Sequence, residues 1–189
     1  MTRISFAATI TEFTPGDNAQ EAWEDAVGSW QTIDFTDLEE GTLLSDQYRD
    51  EFGVVFETVP FTAVAQDSES IYLNDGFGFQ VLTIDFPSSG LNITFETPMQ
   101  SIAFDHPGDM FVRLDLADGT TYEGFPGSSG FGLFSGWTSD VPILGIEVGD
   151  FGGAFNIDDF RLVPIPGPAA FAFFGCAAMT RGGRRMRRD

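Results

Sequence analysis

The amino-acid sequence predicts an all-β protein, an antiparallel β-sandwich of jelly-roll type, and three observations lead to this fold class. Short runs of alternating apolar and polar residues recur between residues 32 and 163, as at 91–96 and 112–117. Clusters of Gly, Pro, Asn and Asp separate these runs about every 8–12 residues. In addition, 21 of the 189 residues are Phe, which suits the core between two packed sheets.

A short helix is predicted ahead of the strands, within residues 17–30. Asn18 stands where a helix cap is expected, and Glu21 follows three residues later as its reciprocal partner. A stripe of apolar side chains at helical spacing either packs on the same domain or forms a face for a partner. The stripe consists of Ala19, Ala22, Trp23, Ala26, Val27 and Trp30.

The strands follow along the chain from Thr32 to Val163. The predicted strand segments lie at 32–38, 53–56, 81–86, 91–96, 102–104, 112–117, 143–148 and 155–163. The pair Asp118-Gly119 is typical of a two-residue hairpin turn. Residues 124–136 are rich in Gly but contain no Lys and lead into strand-like sequence, so they predict a flexible loop rather than a phosphate-binding one.

The composition excludes several classes of function. The chain has 29 acidic and 9 basic residues, a net charge of −20, and residues 1–163 hold 28 of the acids but only 4 Arg. Such a surface repels nucleic acid and anionic lipid headgroups, so no nucleic-acid partner is expected. The absence of Lys excludes a Walker-type phosphate loop, and a single Cys with a single His excludes a disulfide scaffold and a zinc site of several His and Cys.

The last segment of the chain is a different kind of sequence. Residues 163–168 form a stiff Pro- and Gly-rich stretch, residues 169–179 are apolar throughout and predict a short helix, and five Arg occupy the last nine residues. A helix that spans a bilayer alone needs about 20 apolar residues, so this one is either buried or part of a processing signal. The Arg cluster favours a signal, because it would hold that end in the cytoplasm; a disordered basic tail is the alternative.

This tail resembles the C-terminal sorting signals called PEP-CTERM, in which a Pro-x-Pro motif precedes an apolar helix and a short Arg run. Ile165 stands where the family has its Glu, as in variant tails of the Pro-x-Pro-Gly kind. The resemblance implies export, transient anchoring in the cytoplasmic membrane, processing by an exosortase-type transpeptidase, and a final place in the cell envelope or outside the cell. The matching positions are Pro164, Pro166, Gly167, Arg184, Arg185, Arg187 and Arg188.

The resemblance extends to the body and divides the chain into three parts: an N-terminal segment with the short helix (1–31), the β-sandwich (32–163) and the sorting signal (164–189). Segments of the body, at 32–38, 53–56, 95–98 and 155–162, are similar to domains that often precede such tails. Proteins with these tails are commonly linked to extracellular polysaccharide. The sequence therefore predicts a non-catalytic cell-surface or matrix protein, with a carbohydrate-binding module for exopolysaccharide as the alternative.

A calcium site is predicted where the first and last strands meet, since these strands commonly lie together in jelly rolls. Carboxylates from both would supply the oxygen ligands, six to eight in number, that Ca²⁺ takes. The segment Asn156-Ile157-Asp158 is similar to the closing strand of calcium-binding carbohydrate-binding modules, which implies that Asp158 is a ligand and Asp34 its partner. The alternative is the ordinary solvated carboxylates of an acidic protein.

Two further residues are singled out by their chemistry. Trp137, exposed at a sandwich edge, would stack on a sugar ring, and burial in the core is the alternative. His106 lies in a predicted turn, where we expect it to be exposed to solvent. Because no nucleophile-elbow sequence accompanies it, and no carboxylate pair stands out as a glycosidase pair, we do not expect an enzyme.

Overall fold

The computed structural model describes residues 8–14, 16, 18–38, 42, 44–57, 63–66, 80–83, 91–106, 108–126, 133–149 and 156–166. The predicted C-terminal apolar helix lies outside these residues. So do five positions of the predicted sorting signal, namely Gly167, Arg184, Arg185, Arg187 and Arg188.

The described residues form mostly antiparallel β-sheet with two short helices, which is consistent with the predicted all-β sandwich. Every strand pairing within them is antiparallel. The elements, in chain order, are β1 (Ile10–Phe13), α1 (Ala19–Val27), β2 (Gln31–Ile33), α2 (Arg49–Phe52), β3 (Val54–Glu57), β4 (Ala63–Gln66), β5 (Gln80–Thr83), β6 (Leu91–His106), β7 (Phe111–Leu116), β8 (Thr121–Gly124), β9 (Leu133–Gly149) and β10 (Asn156–Pro164).

Two long strands, β6 and β9, connect the whole sheet. They pair with each other on both sides of an irregular region, where the register shifts around Met99. Pro98 in β6 and Pro142 in β9 lie in this region. A proline cannot donate a hydrogen bond to the ladder and is tolerated at such bulges, so these two residues explain where the regular pairing is interrupted.

The irregular region separates two sets of paired strands. The first sheet has the order β8-β7-β9-β6-β3 and uses the C-terminal half of β9 with the N-terminal half of β6. The second sheet has the order β1-β9-β6-β10-β2 and uses the opposite halves of the two long strands. The β4–β5 pair continues from the start of β10.

Aromatic side chains link the two sheets through one core. Phe104 of β6 contacts Trp137 and Phe160, with ring centroids 5.5 and 6.1 Å apart, and Phe160 in turn stacks on Phe95 at 6.2 Å. All four side chains are buried. These three Phe side chains therefore serve the core, which is the role that the sequence predicted for its many Phe residues.

Helix α1 covers the outer face of the second sheet through Trp23. The Trp23 indole packs over Gly136, where an added Cβ would come within 2.6 Å of its Cδ1 atom. Its Nε1–H donates to Ser101 Oγ (2.9 Å), and that hydroxyl donates to the carbonyl of Trp137 (2.7 Å). The apolar stripe thus packs on its own domain at Trp23, whereas Trp30 lies beyond the helix and remains 37% exposed.

The local signals were right about the existence of the helix and wrong about its cap. Asn18 precedes α1 in a left-handed conformation, with a φ of 71°, whereas a capping residue usually has an extended backbone. Its side chain makes no capping hydrogen bond, so the predicted capping box with Glu21 does not form. The predicted hairpin joins β7 to β8, but its turn is longer than two residues, with Gly119 at a φ of 83°. Of the predicted Gly-rich loop, Gly124 is the last residue of β8, and residues 133–136 lie within β9.

The packing of Trp23 predicts the effect of a methyl group at position 136. The Gly136→Ala variant should be destabilised by about 1–3 kcal/mol, because the new Cβ overlaps the indole. Urea unfolding measures the change, with Gly16→Ala as a control, since a Cβ there comes no closer than 3.9 Å to another atom. Equal stability of Gly136→Ala and the wild type would contradict this packing.

Candidate functional site

A cleft with a volume of about 610 Å³ lies between the end of α1 and the second sheet. Strands β1, β6, β9 and β10 all contribute to it. The lining residues are Thr9, Thr11, Ala26, Val27, Gln100, Ser101, Thr138, Ser139, Asp140 and Val163. We refer to this space as the cleft.

The strand register explains why hydroxyl groups line the cleft. Thr11, Thr138, Ser101 and Val163 are successive cross-strand partners from β1 to β10, so their side chains lie in one row on the same face. The neighbouring row, two residues along each strand, includes Gly136 and is covered by Trp23. In the row with the hydroxyls, Trp23 also reaches Ser101, which is buried, whereas Thr138 is half-buried and Thr11 is exposed.

Some polar groups of the cleft already form hydrogen bonds within the protein, and others do not. Ser101 is held by its two hydrogen bonds, and Asp140 accepts one from the backbone N–H of Thr9 (2.8 Å). Within the described part of the chain, the side chains of Thr11, Thr138 and Gln100 have no hydrogen-bond partner. The cleft therefore offers donors and acceptors to a ligand, and Asp140 is the one charged side chain among its lining residues.

A smaller groove, of about 360 Å³, lies on the first sheet over Gly145. Its polar lining includes Asn92, Thr94 and Arg113. The Arg113 guanidinium forms an ion pair with Glu147 at 2.7 Å. Asp115, which also lines this second groove, lies 3.6 Å from Arg113 Nε, so two protein carboxylates already neutralise the charge of Arg113.

A buried Arg occupies the region near the predicted calcium ligands. Arg161 of β10 is 6% exposed, and its Nη2 atom lies 3.1 Å from Asp105 and 3.0 Å from Asp159. The guanidinium also lies over the Phe134 ring, 5.4 Å from its centroid. Burial raises the pKa of Asp105, while its hydrogen bond to Arg161 acts in the opposite direction. The arginine therefore joins β10 to β6 electrostatically.

Of the predicted calcium ligands, Asp158 lies on β10 and Asp34 directly follows the neighbouring strand β2. β2 pairs with β10, with Ile33 opposite Phe160, so the first and last predicted strands do lie together. Asp34 Oδ1 accepts hydrogen bonds from the N–H and hydroxyl of Thr36, and Asp158, which is buried, accepts one from the N–H of Asp159. No group of three or more His, Cys, Asp or Glu suited to a metal ion occurs among the described residues. Calcium stays a prediction, which melting curves recorded with Ca²⁺ and with EDTA can test.

The predicted sugar-stacking role of Trp137 is wrong. Its side chain is fully buried, since it faces the core from β9 and packs against Phe104. Neither face of the indole is open to a ligand. Burial in the core, the alternative reading of this residue, is what the structure shows.

The predicted exposure of His106 is also wrong. His106 is the last residue of β6 and is fully buried, with Nδ1 2.9 Å from the Gly108 carbonyl and Nε2 2.8 Å from Ser135 Oγ. Since a carbonyl only accepts, Nδ1 carries the proton and Nε2 accepts from Ser135. Ser135 is fully buried too, and Asp105 binds Arg161 instead, so these residues are a structural pair away from solvent.

Comparisons with known proteins add little to this geometry. No protein-family model and no curated protein matches the sequence. One similar solved structure is the C-terminal family 22 carbohydrate-binding module of Clostridium thermocellum Xyn10B, at 10% identity, over 65% of this chain and 92% of that chain, with a TM-score of 0.36. A likeness at this level carries no argument about function.

Neither α1 nor α2 is long and apolar enough to span a membrane.

The burial of His106 predicts a loss of stability in acid. Burial lowers the pKa of His106 from 6.5 to about 4. Between these pH values the unfolded chain binds the extra proton and the folded chain does not, so about 3 kcal/mol present above pH 6.5 is lost as the pH falls towards 4. As the chain has a single His, its imidazole proton gives one NMR signal to follow. Titration of that signal near pH 6.5 would contradict the burial.

The Arg161–Asp105 pair predicts strong coupling in a double-mutant cycle. Arg161→Met alone should cost about 3 kcal/mol, because it leaves the largely buried Asp105 carboxylate without its cation. Adding Asp105→Asn should recover part of this loss, since the amide carries no charge. Urea unfolding of both single variants and the double variant gives the coupling energy. Additive costs would show that the two residues act independently.

Proposed function

We propose that this protein is an exported, non-catalytic protein of the cell surface or extracellular matrix whose C-terminal segment is a sorting signal. One observation carries the proposal: the order of the Pro-Ile-Pro-Gly motif, the apolar stretch and the Arg cluster within residues 164–188. The resemblance of this order to PEP-CTERM tails points to an exosortase-type enzyme and the cytoplasmic membrane as transient partners. Its body is then proposed to be a sandwich of jelly-roll type.

The end of β10 supports this proposal. Pro164 is the last residue of the strand, and the N–H of Ile165 donates to the Pro98 carbonyl (2.9 Å). Pro166, the next residue, is exposed. The last backbone contact of the sheet therefore lies within the motif, at Ile165, and cleavage at or after the exposed Pro166 would leave the described strands intact.

Carbohydrate binding is the second candidate function, and the cleft favours it. Hydroxyl and amide side chains line the cleft beside small apolar ones, a combination that suits the hydroxyls and C–H groups of a sugar. A polysaccharide of the matrix would be the partner. This candidate is compatible with export, because a module that binds a matrix polymer acts outside the cell.

The sorting signal predicts how the protein is processed in its source cells. Intact-mass analysis after fractionation should find a chain ending near residues 163–167 outside the cytoplasm. A variant with Arg184, Arg185, Arg187 and Arg188 replaced by Ser should stay unprocessed, because the positive charges that hold this end in the cytoplasm are lost. Replacing the same four residues by Lys keeps the charge and should preserve processing. A wild-type chain that still ends at Asp189 in the cytosol would overturn the proposal.

A further inference from the structure

We propose that the cleft binds a neutral, hydroxyl-rich ligand, a glycan without acidic groups, through the side chains of Thr11, Thr138 and Gln100. This inference rests on the second candidate function, carbohydrate binding, and adds to it the site and the charge of the ligand. The sequence singled out none of the polar residues of this cleft as a ligand-binding residue.

The spacing of the polar groups supports an extended ligand that crosses the strands. Thr11, Thr138 and Ser101 come from β1, β9 and β6, which are adjacent in the second sheet. Neighbouring strands lie about 4.8 Å apart, so a ligand across β1 and β9 meets the hydroxyls of Thr11 and Thr138 in turn, beside the buried Ser101. Ala26, Val27 and Val163 add apolar surface beside this row, against which the C–H groups of a sugar ring can pack.

The floor of the cleft is already held in place before a ligand arrives. Ser101 is fixed by the indole N–H of Trp23 and by the carbonyl of Trp137. Rigid polar groups lose little conformational entropy on binding, so more of each hydrogen bond appears as affinity. The side chains of Thr11, Thr138 and Gln100, which have no hydrogen-bond partner among the described residues, then exchange water for the ligand.

The charge of the cleft selects against anionic ligands. Asp140 is the one charged residue in its lining, and the chain as a whole carries a net charge of −20. A uronate or sulfate would be repelled, whereas a neutral hydroxyl can donate to the Asp140 carboxylate. Asp140 Oδ1 already accepts from the Thr9 N–H, which fixes the group and leaves the second oxygen to accept from a ligand.

The cleft fits a ligand of this kind better than the second groove does. Small-ligand sites usually have volumes of about 300–1,000 Å³. Both spaces fall within this range, but the second groove is smaller and its Arg113 is paired with Glu147. The second groove therefore serves as an internal control for the site.

Calorimetric titration of the full-length protein tests the inference. The probes are two neutral hexasaccharides, cellohexaose and mannohexaose, and an anionic one of the same length, a hexagalacturonate. We expect a neutral probe to bind and the hexagalacturonate not to bind. Thr138→Val and Thr11→Val should each weaken binding about five-fold, since valine keeps the shape and removes the hydroxyl. Thr94→Val in the second groove is the matched control and should bind like the wild type.

Each other outcome overturns a defined part of the inference. If Thr138→Val and Thr11→Val bind as tightly as the wild type, the ligand binds outside the cleft, and carbohydrate binding itself is still supported. Weaker binding by Thr94→Val would assign the ligand to the second groove, and preference for hexagalacturonate would overturn the ligand class. Failure of both neutral probes to bind would overturn the inference and the second candidate function together, leaving export to its own test. Melting curves verify folding, and Thr11→Val, at an exposed position, keeps the test valid if Thr138→Val does not fold.

Discussion

The packing of Trp23 on Gly136 determines the shape of the outer surface of the second sheet. Since Gly136 has no side chain, the indole can approach the backbone closely enough to bond Ser101. This contact holds α1 over one row of the sheet and, in the next row, buries Ser101 but leaves Thr11 and part of Thr138 accessible. The cleft, its rigid floor and its apolar wall therefore all depend on one aromatic side chain meeting one glycine.

Local patterns in the sequence predicted the elements whose causes are local. Alternation identified β7 and the first half of β6, and Asp118 with Gly119 marked the hairpin, because side-chain period and turn chemistry act over a few residues. The same approach gave two separate segments, 91–96 and 102–104, where the structure has the single strand β6, with Pro98 between them. In the structure the chain continues through the proline as an irregular region of one long strand, since pairing with β9 on both sides outweighs the local interruption.

The candidate site could not be predicted in the same way. Thr11, Ser101 and Thr138 are far apart in sequence and become neighbours only through the register of three strands, which no local pattern records. The burial of His106 could have been predicted from the sequence. His106 continues the alternation of Ile102 and Phe104, so its side chain faces the core as theirs do. No such pattern identifies Trp137 as a core residue, since the first half of β9 is covered on both faces and shows no alternation.

The most direct test of the cleft as a glycan site is to map the contact itself by NMR. When cellohexaose or mannohexaose is added to the ¹⁵N-labelled full-length protein, backbone amides of residues 9–11, 100–101 and 138–140 should shift together. Amides of residues 92–94, 113–115 and 144–146, around the second groove, should stay in place. Shifts confined to the second set, or no shifts with either sugar, would contradict the assignment of the cleft as the binding site.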